Sequence, residues 1–165
     1  MDKSRKITVH LVMSAAAWLI FTVCFIRFIA AYGSLEDEIG IHFAGDGSFD
    51  VIDKKVFGFY PFLVSVITLV ICAVLNMLVN KVKVSKKVTE RGAELMRFGV
   101  RSYIDLSRLG MVFFYSGVWS DCVIRQNPLD TRIPNAILLT MFGLFAVLTI
   151  FLIAVKLKFR IKADK

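Results

Sequence analysis

Residues 57–79 read FGFYPFLVSVITLVICAVLNMLV, 23 consecutive positions without a charged side chain. A bilayer core of roughly 30 Å is crossed by about 20 helical residues, so this stretch is long enough to span it. Comparable runs lie at 7–32, 109–124 and 136–155, and the whole chain of 165 residues is 57% hydrophobic with 15 Phe, well above the usual globular share. These runs predict an all-α, polytopic membrane protein: one four-transmembrane-helix bundle with spans at 7–32, 57–80, 103–124 and 135–156. Residues 33–56 form its outer loop and residues 81–102 a basic inner connection. The third span is the weak one, because its apolar part is short and it must borrow residues 103–108 at the inner interface. Tilt or local thinning of the bilayer accommodates that.

Basic residues concentrate in cytoplasmic segments. With the N-terminus inside, the inner side holds sixteen of the 21 Lys and Arg: three before the first span, eight in 81–108 and five in 156–165. The outer side holds five, Arg27, Lys54, Lys55, Arg125 and Arg132. This bias puts both termini in the cytoplasm. The formal charge of +8 does not point to nucleic acid, since the cations flank spans and lack the interleaved aromatics or folded module of base recognition. Anionic inner-leaflet lipids are the better partner, each nearby cation contributing about 1 kcal/mol. The run NKVKVSKKVTER (80–91) is the strongest such patch, and plain stop-transfer charge also accounts for it.

The basic, then apolar, opening resembles a secretory signal, but its apolar centre is too long, which favours a retained anchor. Cys24, Cys72 and Cys122 fall within spans without metal-ligand spacing and read as small buried side chains. There are no repeats and no low-complexity linker, so consecutive helices are expected to be antiparallel neighbours in a single domain. Small residues such as Ala17, Ser65, Gly110, Ser116 and Ser120 are candidates for close helix approach. Residues 89–109 read as an amphipathic interfacial lead-in to the third span. On it Asp105 and Arg108, at i and i+3, are near enough to pair at a wet membrane boundary.

Charges within a span carry a functional hypothesis by default. Arg27 lies about five residues below the outer end of the first span and Asp121 about three below that of the third, so their depths match. Either they form an intramembrane ion pair, or Arg27 snorkels to the headgroups while Asp121 caps the water boundary.

The outer loop contains IHFAGDGSFD (41–50), polar, glycine-rich and acidic between two apolar segments. His42 with Asp46, Asp50 and Asp53 offers imidazole and carboxylate ligands. The spacing matches neither a recognised zinc site nor a calcium loop, and a structural turn built on Gly45 and Gly47 is favoured, with no metal. Ile39, Ile41 and Phe43 alternate with Gly40 and His42, which predicts a short extended piece laying its apolar face on the bundle. His42 would then titrate near the surface, a candidate pH sensor. No nucleophile elbow, P-loop, dinucleotide fingerprint or HExxH motif occurs, so no catalytic residue and no cofactor is assigned. The spans also lack the paired helix breaks and mid-membrane polar cluster of a transporter.

IGIHFAGDGSFDVIDKK (39–55), set between two spans, resembles the outer-loop signature of a bacterial membrane domain of unknown function found at the N-terminus of SdpI-like immunity proteins. That signature runs Pro, apolar, His, aromatic, Asn, two variable residues, Gly, two more, Asp, with Lys soon after. Ile41, His42, Phe43, Gly47, Asp50 and Lys54 match it, whereas Gly40 replaces the usual Pro and Ala44 the usual Asn. The resemblance covers roughly residues 10–75 and implies a two-span hairpin with an outer loop in a bacterial plasma-membrane protein. The second half lacks the companion signature of SdpI-like chains, so immunity is not carried over with it.

Two functions are compatible with this reading. One is a non-enzymatic immunity or sensor protein that binds an extracellular peptide or integral membrane partner through His42, Phe43, Asp46, Gly47 and Asp50. The other is an accessory subunit stabilising a larger membrane transporter or enzyme complex; a monomer or homo-oligomer that binds peptide fits the first.

Overall fold

The structure, a computed structural model, describes residues 3–82, 84 and 88–160, with side chains from residue 9 onward. The basic run 80–91 therefore falls partly, and the tail beyond 160 wholly, outside the described residues. Helix α1 spans Lys3–Tyr32 and is followed by a hairpin of β1 (Glu38–Phe43) and β2 (Phe49–Lys54). A 3-10 turn, Lys55–Phe59, leads into α2, Tyr60–Lys81. Helix α3, Glu90–Val112, runs on through a π-helical segment, Phe113–Trp119, into α4, Ser120–Arg125, and α5 covers Arg132–Lys158.

Local chemistry sets these boundaries. Pro61 occupies the first turn of α2, where its missing N–H is not needed. Thr89 caps α3 by accepting from the Gly92 N–H, with Glu90 in the first turn against the helix dipole. Gln126, left-handed at φ 52°, ends α4 with its N–H on the Cys122 carbonyl. At the C-terminal end of α2, Arg97 donates to the Val82 carbonyl at 3.2 Å and Arg101 to the Asn76 carbonyl at 3.4 Å. Two guanidinium groups thus lie at the negative end of that helix.

Three helices are long and apolar enough to cross a membrane: Val9–Tyr32, Lys55–Lys81 and Arg132–Lys158. Their large side chains face outward, among them Leu19, Ile67, Leu139 and Phe142. In water such faces would be an aggregation surface; in lipid they are the ordinary exterior. The segment read as the third span is different. It is one continuous helical column over 90–125 rather than a span confined to 103–124, and residues 90–102 of the expected inner connection belong to it. The column sits centrally, packed by α1, α2 and α5, while α5 leans chiefly on α3.

Side-chain contacts give the directions. His10 meets Asp105 and Arg27 meets Asp121, so α1 runs parallel to the central column. Asn76 meets Asp105 and Ser65 meets Ser116, so α2 is antiparallel to it. Phe151 lies at Gly99 and Met141 near Gly110, so α5 is antiparallel too. The hairpin and the 126–131 turn share one end of the bundle, and the α2–α3 connection lies at the other.

Two apolar layers hold the column. Ala17, Leu69 and Val112 pack at mid-height; Phe28, Ile39, Phe62 and Val123 form the layer beneath the hairpin. The buried face of the column reads Arg108, Val112, Ser116, Ser120. Steps of four residues drift by about 40° each on a regular α-helix. The wider π segment rotates less per residue and keeps these positions on one face.

Candidate functional site

The hairpin is fastened rather than loose. Trp119 Nε1 donates to the Ile41 carbonyl at 3.2 Å, Gln126 Oε1 accepts from the Gly40 N–H at 2.8 Å, and the Leu129 N–H donates to the Gly47 carbonyl at 2.8 Å. Ile39 and Phe43 of β1 are buried; β2 is mostly exposed, with Ile52 69% accessible. The sheet therefore has an inner strand tied to the bundle and an outer strand facing away from it.

The five loop residues singled out in the sequence divide into two groups. Phe43 is buried, stacked on Phe49 at 4.5 Å and edge-on to Trp119 at 5.2 Å. Gly47 is buried as well, at φ 89°, where an added Cβ would stand 2.0 Å from the Leu129 carbonyl oxygen. Both are parts of the hairpin's attachment and offer no surface to a partner. His42, Asp46 and Asp50 are exposed. His42 Nδ1 lies 2.7 Å from Asp50 Oδ1; a carboxylate only accepts, so Nδ1 carries the proton of that bond. Asp46 accepts from both the Ser48 hydroxyl, at 2.7 Å, and the Ser48 N–H, at 2.9 Å, closing the turn. Chiefly the hydroxyl bond, and then the N–H, hold the Asp46 carboxyl below its ordinary value.

These contacts give the loop pattern a physical account. His42 and Asp50 pair across the hairpin, and Gly47 makes the turn. Gly40 lies so close to the Phe49 ring that a Cβ would come within 2.3 Å of it. Among the described residues, no group of three or more His, Cys, Asp and Glu could hold a metal ion.

Arg27 Nη2 lies 2.5 Å from Asp121 Oδ1, and Arg125, one turn on, also bonds Asp121 at 3.1 Å. All three are partly exposed at the hairpin end.

A second polar centre was missed by the sequence reading. Asp105 is fully buried and Arg108 is 4% exposed, which corrects their placement at a wet boundary. Asp105 Oδ1 accepts from Asn76 Nδ2 at 2.8 Å and Arg108 Nη2 at 2.7 Å, and Oδ2 lies 2.6 Å from His10 Nδ1. The bundle therefore does contain a polar cluster between its helices. Its signal was present: a helix of low hydropathy beside three apolar ones, with Asp105, Arg108, Ser116 and Ser120 on one stripe, reads as a central helix. His10, inside an apolar run, was its partner. Higher up, Ser116 donates to Ser65 at 2.7 Å and Ser65 to the Pro61 carbonyl at 2.9 Å, while Ser120 bonds the Ser116 carbonyl.

The groove of 420 Å³ between α1, α3 and α5 carries no free polar group. Its one polar side chain, Thr140, is spent on the Ala136 carbonyl.

These features define a helical protein with the build of a membrane protein, crowned by a fixed acidic hairpin. Comparison with protein-family models, with curated proteins and with solved structures gives no match.

Proposed function

We propose that this chain is a non-enzymatic, four-span protein of the bacterial plasma membrane, of the immunity or sensor type, with both termini cytoplasmic. Its acidic outer hairpin binds an extracellular cationic peptide or a membrane partner. The observation that carries this reading is the fastened hairpin with its outward strand, which holds Asp50 beside Val51 and Ile52 in a preorganised, exposed array. Asp37 and Asp46 are exposed nearby. An extended cationic segment fits such an edge, since strand addition supplies backbone bonds and the carboxylates select charge. The resemblance of 39–55 to the immunity-associated loop points the same way.

Four spans are supported by the central column keeping pace with α1. From His10 to Arg27 and from Asp105 to Asp121 is in each case about 25 Å of helix rise, close to the hydrocarbon thickness. Hydropathy passes this column over because its polar side chains are covered by the other helices. With Arg108 counted inside the bundle, the sequence still assigns fifteen cations to the inner segments against five to the outer ones.

The test is His42→Ala with Asp50→Ala in cells challenged with cationic peptides. Loss of protection or of peptide capture at constant protein level supports the reading; unchanged protection rejects the hairpin as the reader. The accessory-subunit reading is favoured by one observation, the wide exposed apolar face of α5, which packs chiefly on α3. Purification in a mild detergent separates the two, because a stoichiometric membrane partner would favour the subunit.

A further inference from the structure

The cluster at the end of the bundle away from the hairpin has no part in peptide capture, yet it is the most deeply buried group of charges described. Asp105 and Arg108 sum to zero, so the cluster's net charge follows the His10 imidazole. With Asp105 on Nδ1, the ring donates there, which leaves Nε2 as the nitrogen free to exchange a proton. The His10 side chain is 17% exposed, against 1% for Asp105 and 5% for Arg108, so it is the member in touch with the surroundings. It is also the second residue of the apolar stretch Val9–Tyr32, close to the terminal end. Toward the hairpin, the layer of Ala17, Leu69 and Val112 closes the way. Within the cluster, Asn76 Oδ1 and Arg108 Nε are buried without a hydrogen-bond partner among the described residues, leaving acceptor and donor capacity unspent.

We infer that this cluster is a proton-binding site loaded from the terminal end of the bundle. Nε2 of His10 takes a proton from water on that side, Nδ1–H stays on Asp105, and the cluster's charge rises from zero to +1. Imidazole suits the task because its charge changes within the physiological range. Once loaded, His10 and Arg108 compete for one carboxylate in a medium where charge is weakly screened, so loading strains the junction of α1 with α3. Further charged and polar groups surround the trio. From α3 come Asp105, Arg108, the Phe98 ring at 5.3 Å, Glu94 one turn before that ring and, one step away, Arg101 on the Asn76 carbonyl. Helix α2 contributes neutral Asn76 and the Cys72 thiol. The charges of α5, Arg132, Lys156 and Lys158, sit in its first and last turns.

Histidine occurs only twice in the chain, so His42→Gln leaves His10 as the single imidazole. Its ring nitrogens are followed by 15N NMR in lipid nanodiscs between pH 5 and 8.5. The expected result is a neutral ring protonated on Nδ1 that converts to imidazolium in one step. Asp105→Asn should weaken proton binding at least tenfold, and Arg108→Gln should strengthen it. In vesicles of uniform orientation, the transition should follow the pH on the terminal side. A ring fixed in one charge state, a neutral ring protonated on Nε2, or a response to pH on the hairpin side would overturn the proposal. If the Asp105 and Arg108 variants fail to fold, the tautomer and the sidedness measured with those two residues intact decide it.

Discussion

His10 and Asp105 are 95 positions apart in sequence and 2.6 Å apart in the bundle, and Arg108 closes on the same carboxylate from the next turn of α3. Removing one member of a buried pair strands the other, which typically costs about 3–5 kcal/mol. Arg108→Leu and Asp105→Leu are each expected to destabilise the protein on that scale, and the double variant by clearly less than the sum of the two. Unfolding in mixed micelles measures all three. Single variants within about 1 kcal/mol of the parent would show that the cluster does not hold the helices together.

At the other end, Arg27 and Asp121 are partly exposed, and Arg125 shares the carboxylate. Exposed pairs contribute about 0.2–1 kcal/mol. A cycle of Arg27→Leu, Asp121→Asn and both together should therefore give a coupling in that range, well below that of the buried cluster. Strict additivity would mean that Arg27 is held by the headgroup region and not by Asp121.

The contrast between these pairs shows what the sequence made legible. Charge-free runs such as 57–79 announce themselves, because hydropathy scores each residue by its own transfer cost. The same measure misplaced Asp105 and Arg108, whose burial is offset by His10 and Asn76 on other helices. The depth match of Arg27 and Asp121 was readable from counting residues, although counting left contact and snorkelling open. In the loop, the alternation of Ile39, Ile41 and Phe43 signalled a strand because one face is buried. Strand β2 gave no such signal, since Asp50, Val51 and Ile52 all face outward and Asp is a poor strand former. The roles of Phe43 and Gly47 emerged only once Trp119 and Leu129, far along the chain, were seen against them.

Gly47 and Gly45 offer a controlled comparison. A Cβ at Gly47 would meet the Leu129 carbonyl at 2.0 Å with φ at 89°, whereas one at Gly45 meets nothing within 4 Å. Gly47→Ala is expected to cost about 1–3 kcal/mol and to speed proteolysis of the hairpin, with Gly45→Ala close to neutral. Equal protease resistance in the two variants would show that the turn is not clamped by the 126–131 segment.

The hairpin turn should also weaken in acid. Hydrogen bonds from Ser48 lower the Asp46 pKa, so the contribution is fully present above the carboxyl's unfolded value and is lost as pH falls through the folded one. Amide exchange at Gly47 and Ser48 should accelerate at that step in the parent. Ser48→Ala should already show faster exchange at neutral pH and a smaller change on acidification. An identical pH response in parent and variant would remove the Ser48 contacts as its cause.

Asp46 also reports on orientation, because it is exposed at the hairpin end while the start of α1 and the end of α5 lie at the other. With Cys24, Cys72 and Cys122 replaced by Ser, Asp46→Cys provides a single thiol in the turn. An impermeant thiol reagent should label it in intact cells if the proposed orientation, argued from the cation bias, holds. A cysteine placed beyond residue 160 should react only after the cells are opened. The reverse pattern would put the acidic hairpin in the cytoplasm, where an extracellular cationic peptide cannot meet it. It would also turn the His10 cluster toward the exterior, so that its proton came from outside the cell.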